Sequence, residues 1–182
     1  MRNKGFSLVE LIIAIALLGT IMAAVMTLFV VGIKNYRRES QRNFMQKEIN
    51  FTADDLGTQI KQAAEVPVTY DGTNRSAETL ILALPAINED EAFIYNGDSL
   101  LYDHVIYYLS EKDLYKKVVP DSQSIREEKE EPILGDVSKF ECIYEPQTDT
   151  ELATCTIETS KEVSGSTLSF RAIKTARLRN FR

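Results

Sequence analysis

One carboxylate lies where the sequence is otherwise apolar, and its surroundings make it the first candidate for chemistry. Between Phe6 and Ile33, a stretch of 28 residues, Glu10 is the sole charged side chain. A short leader with two basic residues precedes this stretch and ends at Gly5. A carboxylate at the edge of hydrocarbon costs free energy until a cation or a donor meets it, so such residues are usually paired or functional. The pattern predicts a membrane-entry segment with a functional acid.

The other residues that could do chemistry do not form a catalytic set. His104 follows Asp103, but adjacent residues of a strand point to opposite faces, so the pair reads as ordinary strand positions. Ser164-Gly165-Ser166 lacks the flanking sequence of a nucleophile elbow. One histidine and two cysteines leave little with which to build a zinc or haem site. We therefore expect no enzyme activity, no metal and no cofactor.

The apolar stretch is long enough to cross a bilayer as a helix. From Leu11 to Ile33 there are 23 residues without charge, and about 20 suffice. A secretory signal peptide would have an apolar core of about 7–15 residues, which is shorter. Basic residues stand on both sides of the stretch, so the excess of Lys and Arg that marks the cytoplasmic side does not settle its orientation.

A second helical segment follows the span. Apolar residues recur there at intervals near three, four and seven between charged residues; they are Phe44, Ile49, Phe51, Leu56, Ile60, Ala63 and Ala64. Pro67 is expected to end the helix. Gly57 and the pair Asp54-Asp55 could interrupt it. An apolar stripe of this kind needs a partner layer, so a folded head must pack on it.

The chain from Val66 onward changes to short alternating runs separated by turn residues. The predicted strands are Glu78–Leu84, Ala92–Asn96, His104–Leu109, Leu114–Val119, Lys139–Tyr144, Ala153–Thr159 and Thr167–Thr175. The run Glu127–Glu131 reads as a solvated loop. Strands that follow one long helix indicate an α+β fold with an antiparallel sheet. The predicted organisation is a leader (1–5), a transmembrane helix (6–33), an amphipathic helical extension (34–65) and a β-rich globular head (66–182).

The residues at the start of the span carry a family resemblance. Lys4-Gly5-Phe6-Ser7-Leu8-Val9-Glu10 resembles the type III signal of type IV prepilins and pseudopilins. That signal is a short basic leader that ends in Gly, followed by Phe, a small hydroxyl residue, two aliphatic residues, Glu and an unbroken apolar run. Many major pilins of this family have a Pro in the middle of the apolar run, and this chain has none there.

The resemblance implies how the chain is processed and assembled. A prepilin peptidase in the membrane would cut between Gly5 and Phe6 and methylate the new amino terminus of Phe6. Glu10 would then neutralise the amino terminus of a neighbouring subunit in the filament core. An assembly ATPase and a platform protein would extract subunits from the membrane, with the head outside the cytoplasm. The structure implied is the pilin-like α+β fold.

Parts of the head resemble the minor pilins of the PilW and GspJ type. His104–Lys117 reads like the strand pair of these proteins, with a Tyr-rich first strand and a short turn. Ile133–Tyr144 is similar to a later stretch of theirs. The resemblance implies a minor subunit that primes assembly or lies at the filament tip. A major pilin of the shaft, and a membrane-anchored binding domain without a filament role, stay open as alternatives.

The two cysteines could face each other across a hairpin. If the residues from Pro146 to Glu151 connect two antiparallel strands and Glu145 pairs with Leu152, then Cys142 lies opposite Cys155. Opposed residues have Cβ atoms about 4.5–5.5 Å apart, near the reach of a disulfide. Two small buried residues that stay reduced are the alternative.

Charge argues against one further class of partner. From Pro67 to the end there are 21 acidic and 13 basic residues, a net charge of −8, whereas nucleic-acid affinity depends mostly on Lys and Arg. No direct nucleic-acid binding is therefore expected. Five basic residues near the carboxyl end, Arg171, Lys174, Arg177, Arg179 and Arg182, read as a solvated, partly paired face.

Overall fold

The computed structural model describes residues 7–146 and 151–179. These residues form one helix and eleven strands. The elements are α1 (Leu8–Gln62), β1 (Thr69–Tyr70), β2 (Thr73–Asn74), β3 (Thr79–Pro85), β4 (Tyr95–Asn96), β5 (Ser99–Leu100), β6 (Tyr102–Ser110), β7 (Asp113–Val119), β8 (Lys129–Leu134), β9 (Val137–Pro146), β10 (Glu151–Val163) and β11 (Ser166–Arg177). The chain divides into two compact units between Arg42 and Asn43.

The first unit, up to Arg42, contributes only helix to the described structure. Every described side chain in it is exposed. Apolar residues occupy all sides of α1 from Leu8 to Ile33, and none of their side chains is buried. By length and composition the helix can cross a membrane. Its apolar surface requires lipid or other protein around it.

The second unit begins with the last turns of α1, which form an amphipathic helix. Met45, Ile49, Ala53, Leu56 and Ile60 are all buried. Their spacing of three or four residues places them on one face. That face packs on the strands of the head, as the sequence predicts for the extension. The α+β fold with antiparallel sheets is confirmed.

Two aromatic residues assigned to the stripe lie outside it. Phe44 is 56% and Phe51 77% exposed. Phe44 is one residue before Met45 of the buried series, and Phe51 is two residues after Ile49. Each residue turns a helix by about 100°, so these two side chains point away from the head. The prediction for these two residues was wrong because it relied on their spacing of seven residues. That spacing occurs on every face of a helix and so does not identify the buried one.

The possible break near Gly57 does not occur, since α1 is continuous to Gln62. Gly57 instead makes room for a neighbouring strand. A Cβ atom added there would lie 2.6 Å from Cε of Lys174 on β11. The glycine therefore serves close packing between helix and strand.

Two antiparallel sheets form most of the head. The first has the order β3-β6-β7-β8, and the second has the order β11-β10-β9. Two short hairpins, β1–β2 and β4–β5, stand beside them. Ser164 and Gly165 connect β10 to β11 with positive φ angles of 52° and 78°. A two-residue turn of this kind matches the twist of the paired strands and favours glycine.

The strand predictions differ from the structure mainly at charged and short segments. Lys129–Glu131 belongs to β8 and is not a solvated loop, because pairing with β7 orders it. Ala92–Asn96 is strand only at Tyr95–Asn96. The hairpin β1–β2, whose turn is Asp71-Gly72, was not predicted.

The core of the head lies where α1 meets both sheets. Its largest fully buried side chains include Tyr107 of β6, Phe140 of β9, Leu114 of β7 and Ile157 of β10, together with Leu56 of α1. All five belong to one cluster of buried residues. Burial of apolar area is the main favourable term in folding, so this cluster joins helix and sheets into one unit.

Candidate functional site

The described structure begins at Ser7. In this first part Glu10 has a hydrogen-bond partner in its own chain. Oε2 of Glu10 accepts a hydrogen bond of 3.1 Å from the backbone N–H of Ser7. The Ser7 hydroxyl in turn accepts one of 3.4 Å from the N–H of Val9. This reciprocal pattern is a capping box, which satisfies N–H groups that the first turn of a helix leaves unpaired. The signal Ser-x-x-Glu was present in the sequence and was missed.

The junction predicted for processing lies outside the described residues. Gly5 and Phe6 are the predicted cleavage site, and Phe6 is the predicted methylation site. Their roles stay predictions. Within the described part, helix α1 begins at Leu8, two residues after the predicted new amino terminus.

Two hydroxyl groups in the apolar part of α1 are satisfied within the helix. The Thr20 hydroxyl donates to the carbonyl oxygen of Ala16 at 2.8 Å, and Thr27 donates to Ala23 at 2.9 Å. In hydrocarbon, an unpaired donor would cost several kcal/mol. From Leu8 to Ile33, Glu10 is the one charged side chain.

The cysteines lie at the register that the hairpin argument predicts. Glu145 pairs with Leu152 and Cys142 with Cys155 between β9 and β10. The two Sγ atoms are 1.99 Å apart, which is a bonded distance. Both residues belong to the buried core cluster. The bridge therefore joins neighbouring strands beneath the sheet surface and is not exposed for exchange.

Asp103 has a structural set of partners. It is fully buried and accepts hydrogen bonds of 2.8 Å from the backbone N–H of Asp121 and from the Ser124 hydroxyl. Arg126 forms an ion pair with the same carboxylate and also donates to the carbonyl oxygen of Pro85. A buried carboxylate needs such partners. This network attaches the connection between β7 and β8 to β6.

His104 does not join Asp103 in a catalytic pair. Its ring stacks on Tyr70 with 3.6 Å between centroids. Burial lowers the pKa of His104, and the nearby Asp103 charge opposes this only in part. The stacked rings of Tyr70 and His104 therefore pack the β1–β2 hairpin against β6.

Two adjacent aspartates connect α1 to both sheets, a role that was not predicted from the sequence. Asp54 accepts from Nζ of Lys174 on β11 at 2.6 Å. Asp55 accepts from Nζ of Lys116 on β7 at 2.9 Å and from the Tyr107 hydroxyl at 3.4 Å. Burial, and secondarily Asp55, raises the pKa of Tyr107 well above its usual value. One helical turn thus contacts strands of both sheets.

The basic residues near the carboxyl end are partly paired. Arg171 contacts Glu158 at 3.3 Å, and Lys174 contacts Asp54. Arg177 and Arg179 are exposed and also have partners. Arg182 lies outside the described residues. The description as a solvated, partly paired face fits the described members of the set.

Two shallow cavities lie on the surface of the head. One of about 330 Å³ lies between α1 and β8 and is lined by Phe51, Asp55, Lys116 and Glu131. Another of about 250 Å³ is lined by Ile87, Phe93 and Arg126 among others. In the described ranges 7–146 and 151–179, no three His, Cys, Asp or Glu residues are grouped to hold a metal.

Comparison with known proteins bears on the N-terminal segment. Residues 1–26 match the model of the prokaryotic N-terminal methylation motif. The match includes the leader, the Gly5-Phe6 junction, Glu10 and most of the apolar run. Comparisons with curated proteins and with solved structures give no match.

Proposed function

We propose, from the type IV prepilin signal that this chain carries at residues 1–26, that it is a subunit of a type IV pilus-like filament. The observation that carries the proposal is this motif placed on an apolar helix whose side chains are all exposed in the first unit. The motif itself implies processing by a prepilin peptidase and assembly with other pilins. A protein of this kind is typically a structural subunit and not an enzyme.

Processing supplies the cation that Glu10 needs. Cleavage between Gly5 and Phe6 creates a charged amine four residues before Glu10. The amine of a neighbouring subunit can pair with the carboxylate in the filament core. At the effective dielectric near a protein surface, two charges about 4 Å apart attract roughly four times more strongly than in bulk water. The pairing therefore favours one axial register between subunits.

The apolar helix and the signal support anchoring in the cell membrane. In the proposed arrangement the chain crosses the membrane once, with the head outside the cytoplasm and the leader inside. The partners are the prepilin peptidase, other pilin or pseudopilin subunits, an assembly ATPase and a platform protein. After extraction from the membrane, the subunit belongs to the filament at the cell surface.

A minor role, in priming or at the tip, is the finer part of the proposal. It is supported by the apolar run without Pro and by the resemblance of the head to PilW and GspJ type subunits. A major pilin of the shaft is the second candidate. Abundance in sheared filaments separates the two, since a minor subunit is far scarcer than the principal one. The motif favours both over a binding domain without a filament role.

The proposed function is tested by mass spectrometry, which shows where the mature protein begins and whether its amino terminus is methylated. Protein extracted from membranes of the native cell should begin at Phe6, carry one added methyl group and retain the whole apolar span. A peptidase-deficient strain is the control and should contain the chain with its leader. An intact Met1 in the wild-type strain, or a start beyond Ala24, would refute the processing step.

A further inference from the structure

Strand β11 is an open edge of the second sheet. Its 12 residues pair with β10 from Val163↔Ser166 to Leu152↔Arg177 without a register shift. Among the described residues, no strand pairs with its other side. An open edge presents a row of unpaired N–H and C=O groups, which can bind another strand. β11 contains neither Pro nor a bulge that would prevent this.

The edges of β8 and β9 offer less to a further strand. β8, one edge of the first sheet, is six residues long and has a register shift in its pairing with β7, and Pro132 limits further pairing to the residues before it. β9 is covered in part, because the N–H of Cys142 donates to the carbonyl oxygen of Ala77. Lys174 could guard β11 as an inward-facing charge, but Asp54 neutralises it. Of the edges of β8, β9 and β11, the edge of β11 is thus the most open to a further strand.

The outward side chains of β11 are basic and apolar. Arg171, Ile173, Thr175 and Arg177 alternate along the exposed face of the strand. Ile173 is 56% exposed, although it is large and apolar. Arg179 follows the strand and is also exposed. In a head of net charge −8 this edge concentrates basic side chains, and although Arg171 contacts Glu158 and both Arg177 and Arg179 have partners within the chain, an extended acidic segment is complementary in charge to it.

Such an acidic segment exists in the same chain on the other sheet. The run 127–131 has four glutamates and one lysine. Glu127 and Glu128 are exposed, and neither forms an ion pair with a described residue. The segment enters β8 at Lys129 and stays extended as far as Pro132. It therefore has both the charge and the backbone conformation that the edge of β11 would bind.

We propose that the edge of β11 in one copy of this chain binds the acidic segment 127–131 of a second copy. The two surfaces differ, so the contact is heterologous. A heterologous contact requires at least two copies of the chain side by side, as in a shaft or in a tip that contains more than one copy. The contact extends the proposed filament role, on which it rests, and supplies a head-to-head term beside the pairing of Glu10.

Cross-linking between two differently tagged copies of the full chain tests the contact. The protein is purified in neutral detergent from a host without prepilin peptidase, so the outcome does not depend on cleavage after Gly5. One copy carries Ile173→Cys and the other Glu128→Cys, and a short bis-maleimide linker joins cysteines that approach. The native cysteines are bonded to each other. Heterodimers should form and should decrease as salt is raised, because exposed charge pairs are screened.

The matched control uses Ile143→Cys in place of Ile173→Cys. Ile143 is 53% exposed on β9 of the same sheet, against 56% for Ile173 on β11, so the two cysteines have similar access to the linker. The β11 pairing should give at least about fivefold more heterodimer than the β9 pairing, and Glu127→Lys should lower its yield about threefold, the effect of one exposed ion pair.

Three outcomes would overturn the proposal. Equal yields from Ile173→Cys and Ile143→Cys would show that the copies associate elsewhere, for instance through the apolar helices. Preferred linkage of two Ile173→Cys copies to each other would show a symmetric dimer. Yields that do not depend on salt would remove the electrostatic basis. None of these results bears on the mass of the amino terminus, which tests the proposed function separately.

Discussion

At the scale of single residues, Glu10 has one observed role and one proposed role, and substitutions can separate them. In its own chain it caps helix α1 through the N–H of Ser7, and in the proposed filament its charge binds a neighbour's amine. Gln serves as well as Glu in a capping box but carries no charge. On this proposal the cap depends on the shape of this side chain, whereas assembly depends on its charge.

Glu10→Gln and Glu10→Ala should both be inserted and still be cut after Gly5, and both should fail to enter filaments. Glu10→Asp should assemble in part, because its shorter side chain reaches the amine less well. Ser7→Ala is the matched control, since it weakens the cap and keeps the charge, and it should assemble. The measurement is the amount of each variant in sheared filaments beside its processed amount in the membrane. Assembly of Glu10→Gln together with failure of Ser7→Ala would assign Glu10 to the cap.

Tyr107 gives the head a dependence on alkaline pH. Its pKa is raised in the folded state, first by burial and then by Asp55, whereas an unfolded tyrosine titrates near 10. Stability from this group is therefore fully present below about pH 10 and is lost as the pH rises above it. In urea unfolding at increasing pH, Tyr107→Phe should show a shallower alkaline loss of stability. Tyr95→Phe, at a tyrosine that is 57% exposed, is the control and should keep the steeper loss.

At the scale of elements, local patterns were easier to read than pairing partners. The alternating residues of β6 and β10 predict strands because side-chain period is a local property. The charged start of β8 was misread, since its order comes from pairing with β7. Asp54 and Asp55 were read as a weak point in the helix. Their role depends on Lys174 and Lys116, which are distant in sequence.

We expect position 57 to require glycine because the Lys174 side chain lies close to it, and not because the helix conformation requires glycine. In the interior of a helix, Ala is favoured over Gly by about 1 kcal/mol. At position 57 the added Cβ meets the stem of Lys174, so Gly57→Ala alone should gain less than this or lose stability. In a Lys174→Ala background the same change should recover the gain, and a double-mutant cycle in urea measures the difference. Equal effects in both backgrounds would show that Lys174 moves aside without cost.

At the scale of the whole molecule, the sequence predicted the order of segments but not the arrangement of the head. The apolar run and the change to alternating strands are features of composition and period, so a long helix and an antiparallel head could be predicted. The division into two sheets depends on β3 pairing with β6 and on β9 pairing with β10. Such non-local choices are decided by packing of the core. The register at Cys142 and Cys155 was predictable because one short connection determines it.

The orientation of the whole chain can be tested through its disulfide. Disulfides persist outside the cytoplasm and are rare within it. If the head lies outside, as proposed, protein taken from cells with free thiols blocked at lysis should show no free thiol when denatured without reductant. Two free thiols in that sample would contradict both the bridge and the proposed location of the head.

The bridge should also matter to the stability of the head. It closes a loop with a sequence separation of 13, which corresponds to about 3 kcal/mol in the chain-entropy model. A chain that begins near Asn35 should be soluble, because it lacks the apolar run, and its circular dichroism should show both helix and strand. In that chain, Cys142→Ala with Cys155→Ala should lower the free energy of unfolding by about 2–4 kcal/mol. Reduction of the wild-type chain should cause a similar loss, whereas the double variant should not respond to reductant. If reduction left the wild-type midpoint in urea unchanged, the disulfide would have no role in holding β9 to β10.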